Sequence, residues 1–245
     1  MEDDRRKKIG KTIKVLDHGY VRLVDFMGSD ERIVESARIS YNSPSKGEDQ
    51  DKKLLRYLYK NSHTSPFEQV KIALNIKMPI FIMRQYVRHR MQNLNEVSAR
   101  YTQLPNEFYI PSNWRRQDLK NKQGSVIGED FNPDVNVIVI EGCSEKTIPA
   151  TKALTDHCHR SYDLYEEMIK SGIAREMARM VLPVNIYTEI YTTWDLKNLL
   201  HFIALRDDSH AQAEIQEYGK AIKEICKDIF PWTMEVYEEI QLNKS

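Results

Sequence analysis

The sequence predicts an α+β fold, a single domain in which a small, mostly antiparallel sheet is packed by several helices. Two observations point there. Val70, Ile72, Leu74, Ile76 and Met78 alternate with Lys71, Ala73, Asn75 and Lys77, the period-two pattern of a half-buried strand and the clearest strand in the chain. Helical periodicity recurs in more and longer segments than strand character, and no internal repeat or low-complexity tract runs through the 245 residues.

A charged N-terminal tail is expected over residues 1–13, with the domain spanning residues 14–245. Ser29 or Asp30 can cap a helix in which Ile33, Val34, Ala37 and Arg38 recur at helical spacing, and the run Ser43-Pro44-Ser45-Lys46-Gly47 ends it. A second helix, Asp49 to Asn61, carries Leu54, Leu55 and Leu58 on one face until His63-Thr64-Ser65-Pro66 breaks the pattern. After the strand, Pro79 suits the first turn of a helix, because its φ is already helical and its missing donor would be unpaired there anyway. That helix is expected to carry Arg84 and Arg88 one turn apart, with Gln85 alongside.

Phe108-Tyr109-Ile110 has the character of a short strand and Lys120 to Pro133 that of a mobile loop, while Val135 to Ile140 is apolar and fits either element. Thr151 to Lys170 repeats helically and ends at Gly172; Ala174 to Leu182 continues as a short helix, with Arg175 and Arg179 one turn apart, stopped by Pro183. Thr188 to Thr193 is β-branched and aromatic, as strands are. Asp195 can cap a helix bearing His201 and Arg206, and a last long helix from His210 to Ile229 precedes Pro231-Trp232.

Composition narrows the function. The 36 basic and 36 acidic residues cancel, which argues against a protein that coats nucleic acid or an anionic membrane, so any anion it binds is local. The N-terminus is charged without an apolar h-region and no run reaches transmembrane length, so neither secretion nor membrane insertion is expected and the cytoplasm is the expected compartment. Cys143, Cys158 and Cys226 are odd in number and contain no C-x-x-C pair, which fits structural thiols in a reducing compartment.

The chemistry concentrates in one window. Arg84, Arg88, Arg90 and Arg100, with His89, face a single acid, Glu96, and such an imbalance calls for an anion that forked guanidinium donors suit, a nucleotide or phosphate. An isolated R-H-R fits a solvated basic face equally well, but here asparagine, serine and tyrosine follow, all able to make directional hydrogen bonds. In a second group, Arg206-Asp207-Asp208-Ser209-His210, Arg206 and His210 share a face if the helix runs through; abutting helix ends with Asp208 or Ser209 as cap fit the same spacing. Asp207, Asp208 and His210 lack the repeated ligand pattern of a metal centre, and no metal is expected. His63 to Glu68 is a polar turn before the strand, and the Tyr162, Tyr165 and Trp194 rings fit the core.

Taken together, Arg88-His89-Arg90, seven intervening residues and Ser98 resemble the R-H-R-x7-S signature of flavin-dependent thymidylate synthases. His63 to Glu68 is similar to that family's H-x-T/S-P-F-E turn, Glu107-Phe108-Tyr109-Ile110-Pro111 to its post-motif strand, and Arg206 to Gln212 to its R-x-D-S-H-A-Q block. The chain departs from the family at Asn93, Gln69, Ala99, Asp195 and Lys197, where serine, histidine, glycine, asparagine and arginine are common.

The resemblance implies an enzyme, a homotetramer with shared active sites, that methylates dUMP to dTMP with bound FAD, NADPH as reductant and methylenetetrahydrofolate as carbon donor. It implies dUMP contacts from Gln85, Arg88, Glu96, Val97, Ser98, Ala99, Arg100, Arg179 and Arg206, with Arg206 as the catalytic cation beside the uracil ring. Likewise it implies FAD contacts from Ser65, Arg88, His89, Arg90, Glu96, Asp195 and His201, with His210 close by. Arginines then take the pyrophosphate role that a glycine-rich loop fills elsewhere.

Overall fold

The computed structural model describes residues 4–121, 124–126, 130–139 and 144–242. In chain order its strands and helices are β1 (Thr12–Val15), β2 (Gly19–Met27), α1 (Asp30–Arg38), α2 (Glu48–Lys60), β3 (Lys71–Pro79), α3 (Ile80–Tyr86), β4 (Gln92–Glu96), β5 (Arg116–Gln117), β6 (Ser125–Val126), β7 (Asp134–Val139), β8 (Ser144–Pro149), α4 (Ala150–Lys170), α5 (Arg175–Ala178), β9 (Tyr187–Asp195), α6 (Leu196–Arg206), α7 (Ala213–Ile229) and α8 (Pro231–Leu242). Contacts divide the chain into two compact units, Met1–Lys77 with Gln85–Glu96 and Glu189–Ser245, and Met78–Arg84 with Val97–Thr188. Neither is a continuous length of chain, so each depends on the return of a distant segment.

The first unit is built on a sheet of order β1-β2-β3-β9-β4, antiparallel between β1 and β2, β2 and β3, and β4 and β9, which is the expected α+β architecture. The alternation read from β3 is realised: Ile72, Leu74, Ile76 and Met78 are fully buried. Asn75, on the opposite face, is also buried, and its amide is used completely. Its oxygen accepts from Tyr20 and Arg22, and its nitrogen donates to Glu189 and the Ile190 carbonyl. α7 packs on β1 and β2 and against α6 and α8.

Capping fits the sequence where side chains reach the backbone locally. Ser29 accepts from the Arg32 amide at the start of α1, and Asp195 accepts from the Asn198 amide, 2.9 Å, at the start of α6. Asp30 does something the local sequence does not reveal. Its buried carboxylate accepts from the Trp232 and Thr233 amides and the Thr233 hydroxyl, so a residue of α1 caps α8 across the fold.

Several elements differ from expectation. α8 follows the helix expected to be last, because Pro231 starts a helix where it seemed to end one. α7 begins at Ala213 rather than His210, since Asp208 holds the His210 amide in a turn. β4 was not foreseen: Gln92 to Glu96 has no apolar alternation and becomes a strand because it pairs with β9. Residues 4–13 are not a detached tail, as Arg5 donates to the Ile229 carbonyl, Lys11 bridges Glu224 and Asp228, and Thr12 starts β1.

In the second unit α4 buries Cys158, Tyr162 and Tyr165 against Leu104, Phe108 and Ile186. Gly172, at φ +85°, closes that helix as the sequence predicts. The strand expected at Phe108 to Ile110 is reduced to one bridge, Phe108 to Ile186. Of the apolar run Val135 to Ile140, the described residues up to Val139 prove to be strand: β7 pairs with β8. β5 and β6 form a hairpin that enters the expected Lys120 to Pro133 loop, parts of which, like Cys143 and Ile140, lie outside the described residues.

Two substitutions test the packing. A Cβ at Gly19 would lie 2.6 Å from the Val15 carbonyl oxygen and closer to the Tyr218 hydroxyl, which bonds the Lys77 carbonyl. Gly19→Ala is therefore expected to lower unfolding free energy in urea by about 1–3 kcal/mol. The Tyr165 hydroxyl is buried without a hydrogen-bond partner among the described residues, so Tyr165→Phe is expected to leave stability unchanged or raise it by up to about 1 kcal/mol. A loss in the second variant, or none in the first, would contradict this packing.

Candidate functional site

Three aromatic rings from three elements form the base of the site. Tyr86 at the end of α3, Trp194 on β9 and Phe202 on α6 are buried, and the Trp194 indole donates to the Tyr86 hydroxyl at 2.8 Å. Their edges meet, with ring centroids of Tyr86 and Phe202 5.1 Å apart. The His89 ring stands edge-on to Phe202 at 4.9 Å.

α3 stops at Tyr86, and the chain leaves it through tight turns in which the Arg88 and His89 amides bond the Gln85 and Tyr86 carbonyls. Arg88, His89 and Arg90 therefore occupy a loop, and the expectation that Arg84 and Arg88 share a helical flank is corrected. The pairing of β4 with β9 forces this reversal. Gln92 secures it, donating to the His89 carbonyl at 2.8 Å while accepting from the Thr192 hydroxyl at 2.7 Å.

Beside this loop lies a cleft of about 650 Å³, lined by Arg88, His89 and Arg90, by Trp194, and by Asn198, His201 and Arg206 of α6. Met91 and Leu205 add apolar wall. A neighbouring cleft of about 340 Å³, reaching His63, Thr64 and Lys197, shares His201 with it. Arg88 and Arg90 are exposed, and neither pairs with a carboxylate among the described residues, so the cleft carries uncompensated positive charge.

Arg206 is held from two sides. Its Nε donates to His89 Nε2 at 3.0 Å and a terminal nitrogen reaches the Gln85 carbonyl at 3.4 Å. A guanidinium only donates, so His89 must be neutral with its proton on Nδ1. Burial, then Arg206 and His201, press the His89 pKa down to about 4, which keeps the ring neutral at physiological pH. Burial also lowers the pKa of Arg206, yet a guanidinium stays charged. α7 comes so near this helix end that a Cβ on Gly219 would meet the Arg206 carbonyl carbon at 3.1 Å.

Of the residues singled out from sequence, Arg88, His89, Arg90, His201 and Arg206 converge on one cleft. Gln85 adjoins it through Arg206, and Ser65 opens the turn after Thr64. Glu96 ends β4. Asp195 lines neither cleft: its carboxylate is occupied by the Asn198 backbone and side-chain amides, and it is Asn198 that faces the cleft. His210 also stays out, exposed and held by Asp208, and because α6 ends at Arg206 the two do not share a helical face.

Val97, Ser98, Ala99, Arg100 and Arg179 belong to the second unit. There Ser98 accepts from the Arg100 amide, Arg100 pairs with Glu176 at 3.1 Å with both side chains over half exposed, and Arg179 donates to the Glu176 carbonyl. Sequence reasoning gave no site role to Asn198, Gln212 or Glu214, although Gln212 ends the R-x-D-S-H-A-Q block and Asn198 stands three residues after a capping aspartate.

The donor set fits a flavin dinucleotide: unpaired guanidiniums suit a pyrophosphate, and Trp194, Met91 and Leu205 offer apolar surface to a ring. Among the described residues no group of three or more His, Cys, Asp or Glu could hold a metal, and no helix is long and apolar enough to cross a membrane.

The depressed His89 pKa has a sign that can be checked. Between pH 6.5 and about 4 the unfolded chain takes up a proton that the folded ring refuses, so stability falls as pH falls through this window. Replacing His89 with glutamine, which keeps an acceptor, is expected to flatten the decline of Tm over that range. Parallel curves for the two proteins would refute the assignment.

Comparison with known proteins identifies relatives of the chain. A family profile described as "Thymidylate synthase complementing protein" matches residues 22–232. The chain is 44% identical over 234 residues to the flavin-dependent thymidylate synthase of Wolbachia pipientis wMel, covering 95% of this chain and 78% of the relative. It is 41% identical to the enzyme of that name from Thermosipho africanus, covering 91% and 92%. Among solved structures, a UMP/dUMP methylase, PolB, from Streptomyces cacaoi, bound with 5-Br dUMP, superposes with TM-score 0.77 at 28% identity, covering 93% of this chain and 97% of the other.

Proposed function

This chain belongs to the flavin-dependent thymidylate synthase family, and from that premise we propose that it catalyses reductive methylation of dUMP to dTMP, with methylenetetrahydrofolate as carbon donor and NADPH as reductant. The observation that carries the proposal is Arg206, a half-buried cation lining the cleft and bonded to a neutral histidine. The Streptomyces cacaoi methylase, solved with brominated dUMP and UMP, supports a pyrimidine monophosphate as the substrate.

Methylation at C5 needs an electron-rich uracil. Arg206 is the catalytic residue in this reading: its guanidinium beside N3 and the adjacent carbonyl favours ionisation of the ring. Gln85 and Arg88 bind the nucleotide. Glu96, Val97, Ser98, Ala99 and Arg100 of a neighbouring protomer, with Arg179, close on its phosphate in a cytoplasmic homotetramer. Ser98 serves there as a phosphate ligand, and the weak, exposed Arg100–Glu176 pair leaves Arg100 able to exchange partners.

Ser65, Arg88, His89, Arg90, Glu96 and His201 hold FAD in this reading, with His210 at the margin. Asp195 acts one step back, by orienting Asn198. When bound, FAD relays the hydride of NADPH that reduces the transferred carbon to a methyl group. Thiolate attack at C6 is unsupported by the described cysteines: burial pushes Cys226 up to about 12 and raises Cys158, so both stay protonated at neutral pH.

FAD-loaded protein given NADPH, methylenetetrahydrofolate and dUMP tritiated at C5 should release tritium to water and form dTMP; no release would reject the activity. Arg206→Ala is expected to retain FAD, read from the visible spectrum, while turnover falls by about 10²–10³-fold. Arg88→Ala should weaken both. Undiminished turnover in the Arg206 variant would remove it from the chemistry.

A further inference from the structure

α7 opens on Gln212 and Glu214, whose side chains meet each other. Gln212 occupies the N-cap position, yet its side chain caps nothing. Glu214, two residues on, is 4% exposed, a buried acid in the first turn. Gln212 donates its amide nitrogen to Glu214 at 2.8 Å, and Gln85 donates its own to the Gln212 oxygen at 2.5 Å.

The direction of this chain follows from chemistry. A carboxylate only accepts, so Gln212 must turn its nitrogen toward Glu214 and its oxygen toward Gln85. An amide oxygen also only accepts, so Gln85 must turn its nitrogen toward Gln212. A glutamine amide is otherwise free to flip, at the cost of half its matched contacts. We propose that Gln212 and Glu214 are positioning residues for the nucleotide: the acceptor oxygen of buried Glu214 orients the Gln212 amide, which orients the Gln85 amide, so that Gln85 offers its oxygen and remaining N–H in one arrangement.

The same Gln85 lends its backbone carbonyl to Arg206, so its side chain is presented beside the catalytic cation. Orientation in advance saves the ordering cost at binding, which is how residues without ligand contact raise affinity. This proposal rests on the reading that Gln85 binds dUMP.

The test measures dUMP dissociation constants on the FAD-loaded full chain by titration calorimetry. Glu214→Gln, which allows either amide orientation, and Gln212→Met, which removes the relay while keeping length, are each expected to weaken dUMP about tenfold, the loss of one neutral hydrogen bond. FAD content and visible spectrum should not change, and KM for dUMP should rise with kcat nearly constant. In a Gln85→Ala background, adding Glu214→Gln should cost no more than about twofold, because the proposed relay to the ligand is gone.

Unchanged affinity in both single variants, or a full tenfold penalty persisting without Gln85, would overturn the relay. Should Glu214→Gln fail to fold, Gln212→Met carries the same cycle, since Gln212 is half-exposed and not the capping group. Failure of the unmodified protein to bind dUMP would overturn the substrate reading and the relay with it; normal wild-type binding with unaffected variants overturns the relay alone.

Discussion

The hydrogen bond from Arg206 to His89 is the constraint on which the site depends, because it exists only while the imidazole is neutral. Neutrality is maintained by burial, and burial is supplied by the Tyr86, Trp194 and Phe202 rings beneath it. Core packing thus determines a protonation state, and the protonation state determines where a cation points. A charge aimed in advance needs no reorganisation when negative charge develops, which is the main way such sites stabilise it.

The helices around that bond are held at their ends. α6 starts on Asp195 and finishes on Arg206, while α7 closes on its C-terminus at Gly219, and Lys223, one turn further along α7, pairs with Asp207 at 2.9 Å. The start of α7 meets the end of α3 through Gln212 and Gln85. Backbone termini carry free donors, acceptors and partial charge, so bringing several of them together creates polar chemistry without a glycine-rich loop.

Legibility in the sequence tracked how local the cause was. β3, the Ser29 and Asp195 caps and the Gly172 stop were readable because each follows from residues within a few positions. β4 was not, because Gln92 to Glu96 has no apolar pattern and owes its conformation to β9, about a hundred residues away. Asp30 capping α8 is likewise a contact between the two ends of the chain. The motif residues of the candidate site were legible by type, but Asp195 and His210 lie outside the cleft, and Asn198 enters it, for reasons of capping geometry alone.

By itself, then, the chain of amino acids determined its fold class, most of its helices, its central strand and the residue types of its candidate site, because periodicity, capping and side-chain functional groups are properties of short segments. Tertiary structure decided where α3 ends, that Arg88 to Arg90 form a loop, that His89 is a neutral acceptor and that Gln212 and Glu214 reach Gln85. Those outcomes depend on burial and on contacts between residues remote in sequence, and neither quantity exists until the chain has folded.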